Sequence, residues 1–194
     1  MARKKKIIEV EIIDTIFPNK SIAQYEGNTI IFKGGIKGQK VKVVLGRKRK
    51  DHIEGKILEV LEKSPMEKNI GCPHFGACGG CTYQSLIYEE ELKLKEKQVL
   101  ALFEREGIED INFLGIEKSP SISGYRNKME YTFGDEEKDG PLSLGLHRRG
   151  RFYEVVEVTK CNIVGKDFIV ILKEVLNYFR EKGISHYNKR NHIG

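Results

Sequence analysis

The stretch NTIIFKGGIKGQKVKVVLGRKRKDHIEGKILEV, residues 28–60, sets three apolar runs, 28–32, 41–45 and 53–60, between two turn signals. The glycine-rich GGIKG at 34–38 can supply the left-handed backbone a tight turn needs, and RKRKD at 47–51 is a polar loop. Upstream, IIEVEII at 7–13 alternates with period two, and Pro18-Asn19 and Gly27-Asn28 are further turn signals. Four or five short strands at spacings of about 8–12 residues predict a small closed β-barrel, OB-like in form. Ser64-Pro65 ends the last strand, because proline cannot donate to a ladder and steers its predecessor away from helix. A domain boundary is expected there, with the barrel over 1–63.

Beyond it lies GCPHFGACGGCTYQ, residues 71–84, with three of the chain's four cysteines. Five residues separate Cys72 from Cys78, two separate Cys78 from Cys81, and 79 separate Cys81 from Cys161. Four thiolates suit an iron–sulfur cluster or a structural zinc. A structural zinc typically uses two short knuckles, and only Cys78 with Cys81 looks like one. A loop with three ligands and a remote fourth is a common cluster arrangement, and Gly76, Gly79 and Gly80 permit tight backbone near sulfide. Cluster, zinc and four inert thiols all remain open on spacing alone. A radical S-adenosylmethionine site, with gaps of three and then two residues, does not fit. His74 and His147 are read as hydrogen-bonding residues, since four cysteines already complete a site.

After the cysteines, 84–106 is helical by pattern, with Tyr88, Leu92, Val99, Leu100, Leu102 and Phe103 as a core-facing stripe and Gly107 as its stop. Strands are predicted at 111–116, 127–133, 142–147 and 152–158, the last two joined by the basic turn HRRGR, giving an antiparallel sheet. A second helix spans 166–182, with Phe168, Ile171, Leu172, Val175, Leu176 and Phe179 on its core face.

The net charge of +6 is unevenly spread over the 194 residues. Residues 1–63 hold 15 Lys and Arg against 8 Asp and Glu, a balance of +7, and the remainder holds 19 against 20. An excess confined to the first third suits a polyanionic partner there. Arg47, Lys48, Arg49 and Lys50 in the inter-strand loop are the first candidates for nucleic-acid contact, followed by Arg126 with Lys128, and by Arg148 with Arg149; for the latter two pairs, anchoring salt bridges are the competing role. MARKKK opens the chain, but Glu9 and Glu11 prevent an apolar signal segment. The longest apolar run, 168–172, is far short of the roughly 20 residues a membrane span needs. Cysteines without dense disulfide spacing fit a reducing cytoplasm.

GCPHFGACGGCTYQ, GYRNKMEYTFG at 124–134, LGLHRRGRFYEVVEVTKC at 144–161 and the basic barrel together resemble the bacterial RNA (uracil-5-)-methyltransferases, S-adenosylmethionine-dependent enzymes that make 5-methyluridine in ribosomal or transfer RNA. The resemblance implies an α+β chain: a TRAM RNA-binding barrel over 1–63, then a central α+β domain over 64–185 with an antiparallel sheet and a [4Fe-4S] cluster held by Cys72, Cys78, Cys81 and Cys161. It implies a cytoplasmic, monomeric partner of RNA. The family continues into a doubly wound domain that binds S-adenosylmethionine and carries a cysteine nucleophile and a carboxylate base. No strand, glycine-rich turn and helix of that type occurs here, so 186–194 would be only its beginning. With all four cysteines as ligands none is left to attack uracil, and this chain alone is expected to bind RNA and cluster without methylating. A stand-alone RNA-binding module with a structural zinc or cluster is the alternative.

Overall fold

In a computed structural model, which describes residues 6–187 and 192, the chain is mostly β with two helices. It divides into two compact units, one of Met1–Lys68 with Ser85–Lys118, the other of Asn69–Gln84 with Ser119–Gly194. The positions 186–194, read as the start of a catalytic domain, lie largely outside the described residues.

The first unit is a six-stranded sheet of β1 (Ile7–Glu11), β2 (Asp14–Ile16), β3 (Lys20–Tyr25), β4 (Asn28–Lys33), β5 (Lys40–Lys48) and β6 (Ile53–Glu62), in the order β1-β5-β6-β4-β3-β2. All pairs are antiparallel except β4 with β6. Alternation puts Ile8, Val10, Ile30, Phe32, Val41 and Val43 on one buried face. The opposite face of β5 is charged: Lys40 and Lys42 reach Glu62 and Glu59 on β6, each at 3.2 Å. The turn 34–38 forms as its composition predicts, with positive φ at Gly34, Gly35 and Gly38.

Two differences stand out. The sheet has six strands rather than four or five, and among the described residues its end strands β1 and β2 do not pair with each other. β2 and β3 escape hydrophobic patterning because β3 turns small residues inward: Ser21 and Ala23 are buried, and Ser21 Oγ donates to the Gly34 carbonyl at 2.6 Å. The predicted strand at 111–116 is absent.

Helix α1 (Tyr88–Arg105) belongs to this unit and begins with Glu89, Glu90 and Glu91, which favour the positive end of the helix dipole. Its apolar stripe is not core as predicted. Leu92 and Gln98 are buried while Val99, Leu100 and Phe103 are exposed, because the helix meets the sheet through Gln98, whose amide donates to the Thr15 carbonyl at 3.4 Å, and through Lys97, whose ammonium lies 2.5 Å from Asp14.

The second unit has β7 (Thr132–Asp135), β8 (Leu142–Arg148) and β9 (Arg151–Glu157). Both β7 and β9 pair antiparallel with β8, and one parallel pair, Asp135 with Glu154, closes the three into a small barrel. The antiparallel pairing is as predicted; the closure is not, and the strand predicted at 127–133 begins only at Thr132. Helix α2 (Lys166–Glu181) buries Leu172 and Leu176 against Leu144 and Val158, with Cys161 packed at the edge of that cluster. Phe179 packs against Phe133 as predicted, whereas Ile171 and Val175, also predicted as core, are exposed and Ile169 is turned inward instead. Arg180 ties the helix to the strands through the Leu142 carbonyl at 2.8 Å and the Glu157 carboxylate at 2.6 Å. No described helix is long and apolar enough to cross a membrane.

Candidate metal centre

The cysteine loop is laid along the end of β8 by backbone bonds. The Gly79 amide donates to the His147 carbonyl at 3.0 Å, the Arg149 amide donates to the Ala77 carbonyl at 2.7 Å, and Cys78 bridges Arg148 antiparallel. This approach leaves little room for a side chain at two positions. A Cβ on Gly79 would sit 3.1 Å from the His147 carbonyl oxygen, and one on Gly80 would sit 3.2 Å from Leu146 and 3.4 Å from Cys78 Sγ. The Gly80 amide donates to Cys78 Sγ at 3.3 Å. Inside the loop, the Cys78 amide closes a turn onto the His74 carbonyl at 2.8 Å, and Gly76 has φ of +88°.

The fourth cysteine arrives from the segment after β9, and His74 joins the two. Its Nε2 accepts the Thr159 amide at 3.1 Å and lies 3.0 Å from Thr159 Oγ1, two residues before Cys161. It thus has the hydrogen-bonding role its sequence context suggests. Cys72, Cys78, Cys81 and Cys161 all line one cavity with Phe75 and Leu146. All four are partly buried free thiols. Burial, followed by the charges of Cys161, Cys78 and Cys72, pushes the Cys81 thiol up to about 11. Burial also raises Cys78, against the opposing Gly80 amide. Thiols so placed ionise only when a cation offsets both desolvation and mutual repulsion. Two neighbouring polar atoms, Gln84 Oε1 and the Tyr131 hydroxyl, are buried without a hydrogen-bond partner. Burial raises the Tyr131 hydroxyl as well, reinforced by Cys161 and Cys78.

Among the described residues, no group of three or more His, Cys, Asp or Glu side chains is arranged to hold a metal ion. A lone zinc needs its sulfurs about 2.3 Å from one centre. A four-iron cluster binds each thiolate through a different iron, so its ligands border a larger space. The donor set, four thiols lining one apolar cavity with an amide already on one sulfur, is of the type that either group takes.

The basic candidates fall into two groups. Arg47 and Lys48 are the exposed end of β5, not loop residues as predicted, because Lys48 still pairs with Ile53; only 49–52 forms the turn. Lys50 is exposed on that turn, while Arg49 is bound to Glu54 at 2.6 Å. In the second unit the cations serve the fold. Arg148 bridges Glu136 at 2.5 Å and Glu154 at 2.8 Å, and the Arg149 guanidinium donates to the Cys81 carbonyl. Arg126 Nε donates to the Lys128 carbonyl at 3.1 Å, and Lys128 pairs with Glu130 at 2.8 Å; both border a shallow open depression with Met129. The acidic partners Glu136 and Glu154 were missed in the sequence; only Glu154 carried a signal, three residues from Arg151 on one strand.

No family model matches the chain. It is 50% identical over 191 residues to an uncharacterized RNA methyltransferase of Caldanaerobacter subterraneus, covering 98% of this chain and 42% of that protein. It is 45% identical to one of Clostridium tetani, covering 95% of this chain and 41% of that protein. The chain thus spans about two fifths of the length of these relatives. Among solved structures, the Pyrococcus abyssi tRNA (uracil-54, C5)-methyltransferase, crystallised with S-adenosyl-L-homocysteine, shares the fold with a TM-score of 0.61 at 22% identity, over 96% of this chain and 40% of that one. Along nearly its whole length the chain is thus related to part of proteins described as RNA methyltransferases.

Proposed function

We propose that the chain is the RNA-binding, [4Fe-4S]-bearing N-terminal part of an S-adenosylmethionine-dependent RNA uracil-5 methyltransferase acting on ribosomal or transfer RNA. The observation that carries this reading is the meeting of Cys72, Cys78, Cys81 and Cys161 around one cavity, although 79 residues separate the third from the fourth. When bound, a cluster supplies a polycationic cross-link that favours four thiolates and ties the loop to the segment after β9. The chain's own part is to orient the donors: Arg149 holds the Cys81 carbonyl, Gly80 donates to Cys78, and His74 fixes the approach to Cys161. The six-stranded sheet is read as a TRAM domain, in support of which stand its single apolar core and the +7 balance of residues 1–63. S-adenosylmethionine, the cysteine nucleophile and the base belong to the remainder of such an enzyme, so this chain alone is inactive in methylation.

RNA binding is tested through salt. Arg47, Lys48 and Lys50 are exposed at one end of β5 and its turn, and exchange of all three for alanine should flatten the slope of log affinity against log salt by about 2 on single-stranded RNA, at roughly 0.7 per phosphate contact. Titrations of a labelled oligonucleotide at several salt concentrations give that slope. An unchanged slope removes this end of the sheet from the interface.

A further inference from the structure

The β8–β9 hairpin displays its aromatic rings and keeps its arginines for itself. Arg148 is held by Glu136 and Glu154, Arg149 by the Cys81 carbonyl, and Arg151 by Glu154 at 2.5 Å. Phe152 and Tyr153, in contrast, are 65% and 77% exposed on a strand whose buried positions are Val155 and Val156. Phe152 is not loose. Its ring lies parallel to that of His147, with centroids 4.7 Å apart and planes 12° apart, and Tyr153 stands edge-on to it at 5.7 Å and 86°. His147 is itself seated, its carbonyl taking the Gly79 amide of the cysteine loop. One ring is therefore supported from beneath and open above, in a turn, 147–154, with three arginines and one glutamate, which Glu136 joins from the segment after β7. Neither ring lines the cysteine cavity.

We propose that Phe152 and Tyr153 form a stacking platform for unpaired RNA bases. This rests on the RNA-binding reading above and adds to it the element that grips the base rather than the phosphate. Every base has a π-face, so such a platform tolerates sequence, but it requires bases splayed out of a helix, which selects loops and single strands over duplex. A protected, oriented ring loses little freedom on stacking, and the modest positive balance of the turn suits a polyanion whose phosphates are bound elsewhere.

The chain contains no tryptophan, so Phe152→Trp installs a single reporter in the platform. A short oligouridylate should strongly quench its emission, whereas inorganic polyphosphate, which has charge but no bases, should bind without quenching. Phe152→Ala should weaken oligouridylate binding, followed by anisotropy, about tenfold while leaving the salt slope unchanged. Leu114→Ala, at an apolar side chain 89% exposed, serves as the control and should change neither. If oligouridylate binds but leaves the tryptophan emission unaltered, and Phe152→Ala binds as tightly as the parent, the platform is disproved while RNA binding stands. If oligouridylate does not bind the parent chain at all, both readings fail.

Discussion

Replacement of Cys161 by serine is expected to strip the iron from protein prepared without oxygen and to destabilise the second unit by about 3–5 kcal/mol, the scale of losing a native cross-link. Cys161 comes from the far side of the loop-to-strand junction, at the edge of the Leu144, Val158, Leu172 and Leu176 cluster. Without its thiolate the remaining three donors all belong to one loop, and nothing covalent ties that loop to the chain after β9. The size of the loss depends on the metal. In protein treated with a chelator, the same exchange only swaps a partly buried thiol for a hydroxyl, a cost of about 1 kcal/mol. Chemical denaturation of both variants with and without iron separates the two contributions. A loss that is equal in the presence and absence of metal would mean that Cys161 is a packing residue.

Gly145→Ala should be as damaging, for a reason independent of metal. Gly145 lies in β8 opposite Glu157, and a Cβ there would fall onto the Val156 carbonyl oxygen, with the Val156 carbonyl carbon and the Val158 nitrogen each 3.0 Å away. These are backbone atoms of the neighbouring strand, so relief requires the β8–β9 pair to part. We expect a loss of at least about 3 kcal/mol and failure to hold iron, because Val158 leads into Thr159 and Cys161. Gly150→Ala provides the contrast. Its φ is +75° but nothing lies within 4 Å of the new Cβ, so only the left-handed backbone is penalised, about 1 kcal/mol. Thermal melts of the two variants should differ in that order; equal midpoints would show that the strands adjust to the added methyl.

Where inward side chains are large and apolar, as at Ile8 and Val10 or Val41 and Val43, the strands of the first unit are legible in the sequence. Where they are Ser21 and Ala23, the strand is invisible to hydrophobic periodicity, and its place is revealed only by its partners. Both helices are legible as helices, and Leu92, Leu172 and Leu176 are buried as their pattern predicts, but the edges of each buried face are not legible: Lys97 and Asp14, 83 positions apart, anchor α1, and Arg180 with Glu157 and the Leu142 carbonyl anchors α2. The three-cysteine loop can be read directly, but spacing cannot say which distant residue completes it; the family resemblance names Cys161, and the fold brings it to the same cavity. For Arg148 and Arg149 the sequence leaves nucleic-acid contact and anchoring salt bridges both open, because charge is visible there and pairing is not. Their partners, Glu136, Glu154 and a backbone carbonyl, become neighbours only once the hairpin and the loop have formed.

The central claim is that four thiols gather to hold one iron–sulfur cluster, and the most direct measurement is iron and acid-labile sulfide per chain, with an absorption spectrum, on protein purified without oxygen. The account predicts brown protein with broad absorption near ~400 nm, about four irons and about four sulfides per chain, all lost in the Cys161→Ser variant. Colourless protein carrying one zinc per chain, or holding no iron after anaerobic reconstitution with iron and sulfide, would contradict it.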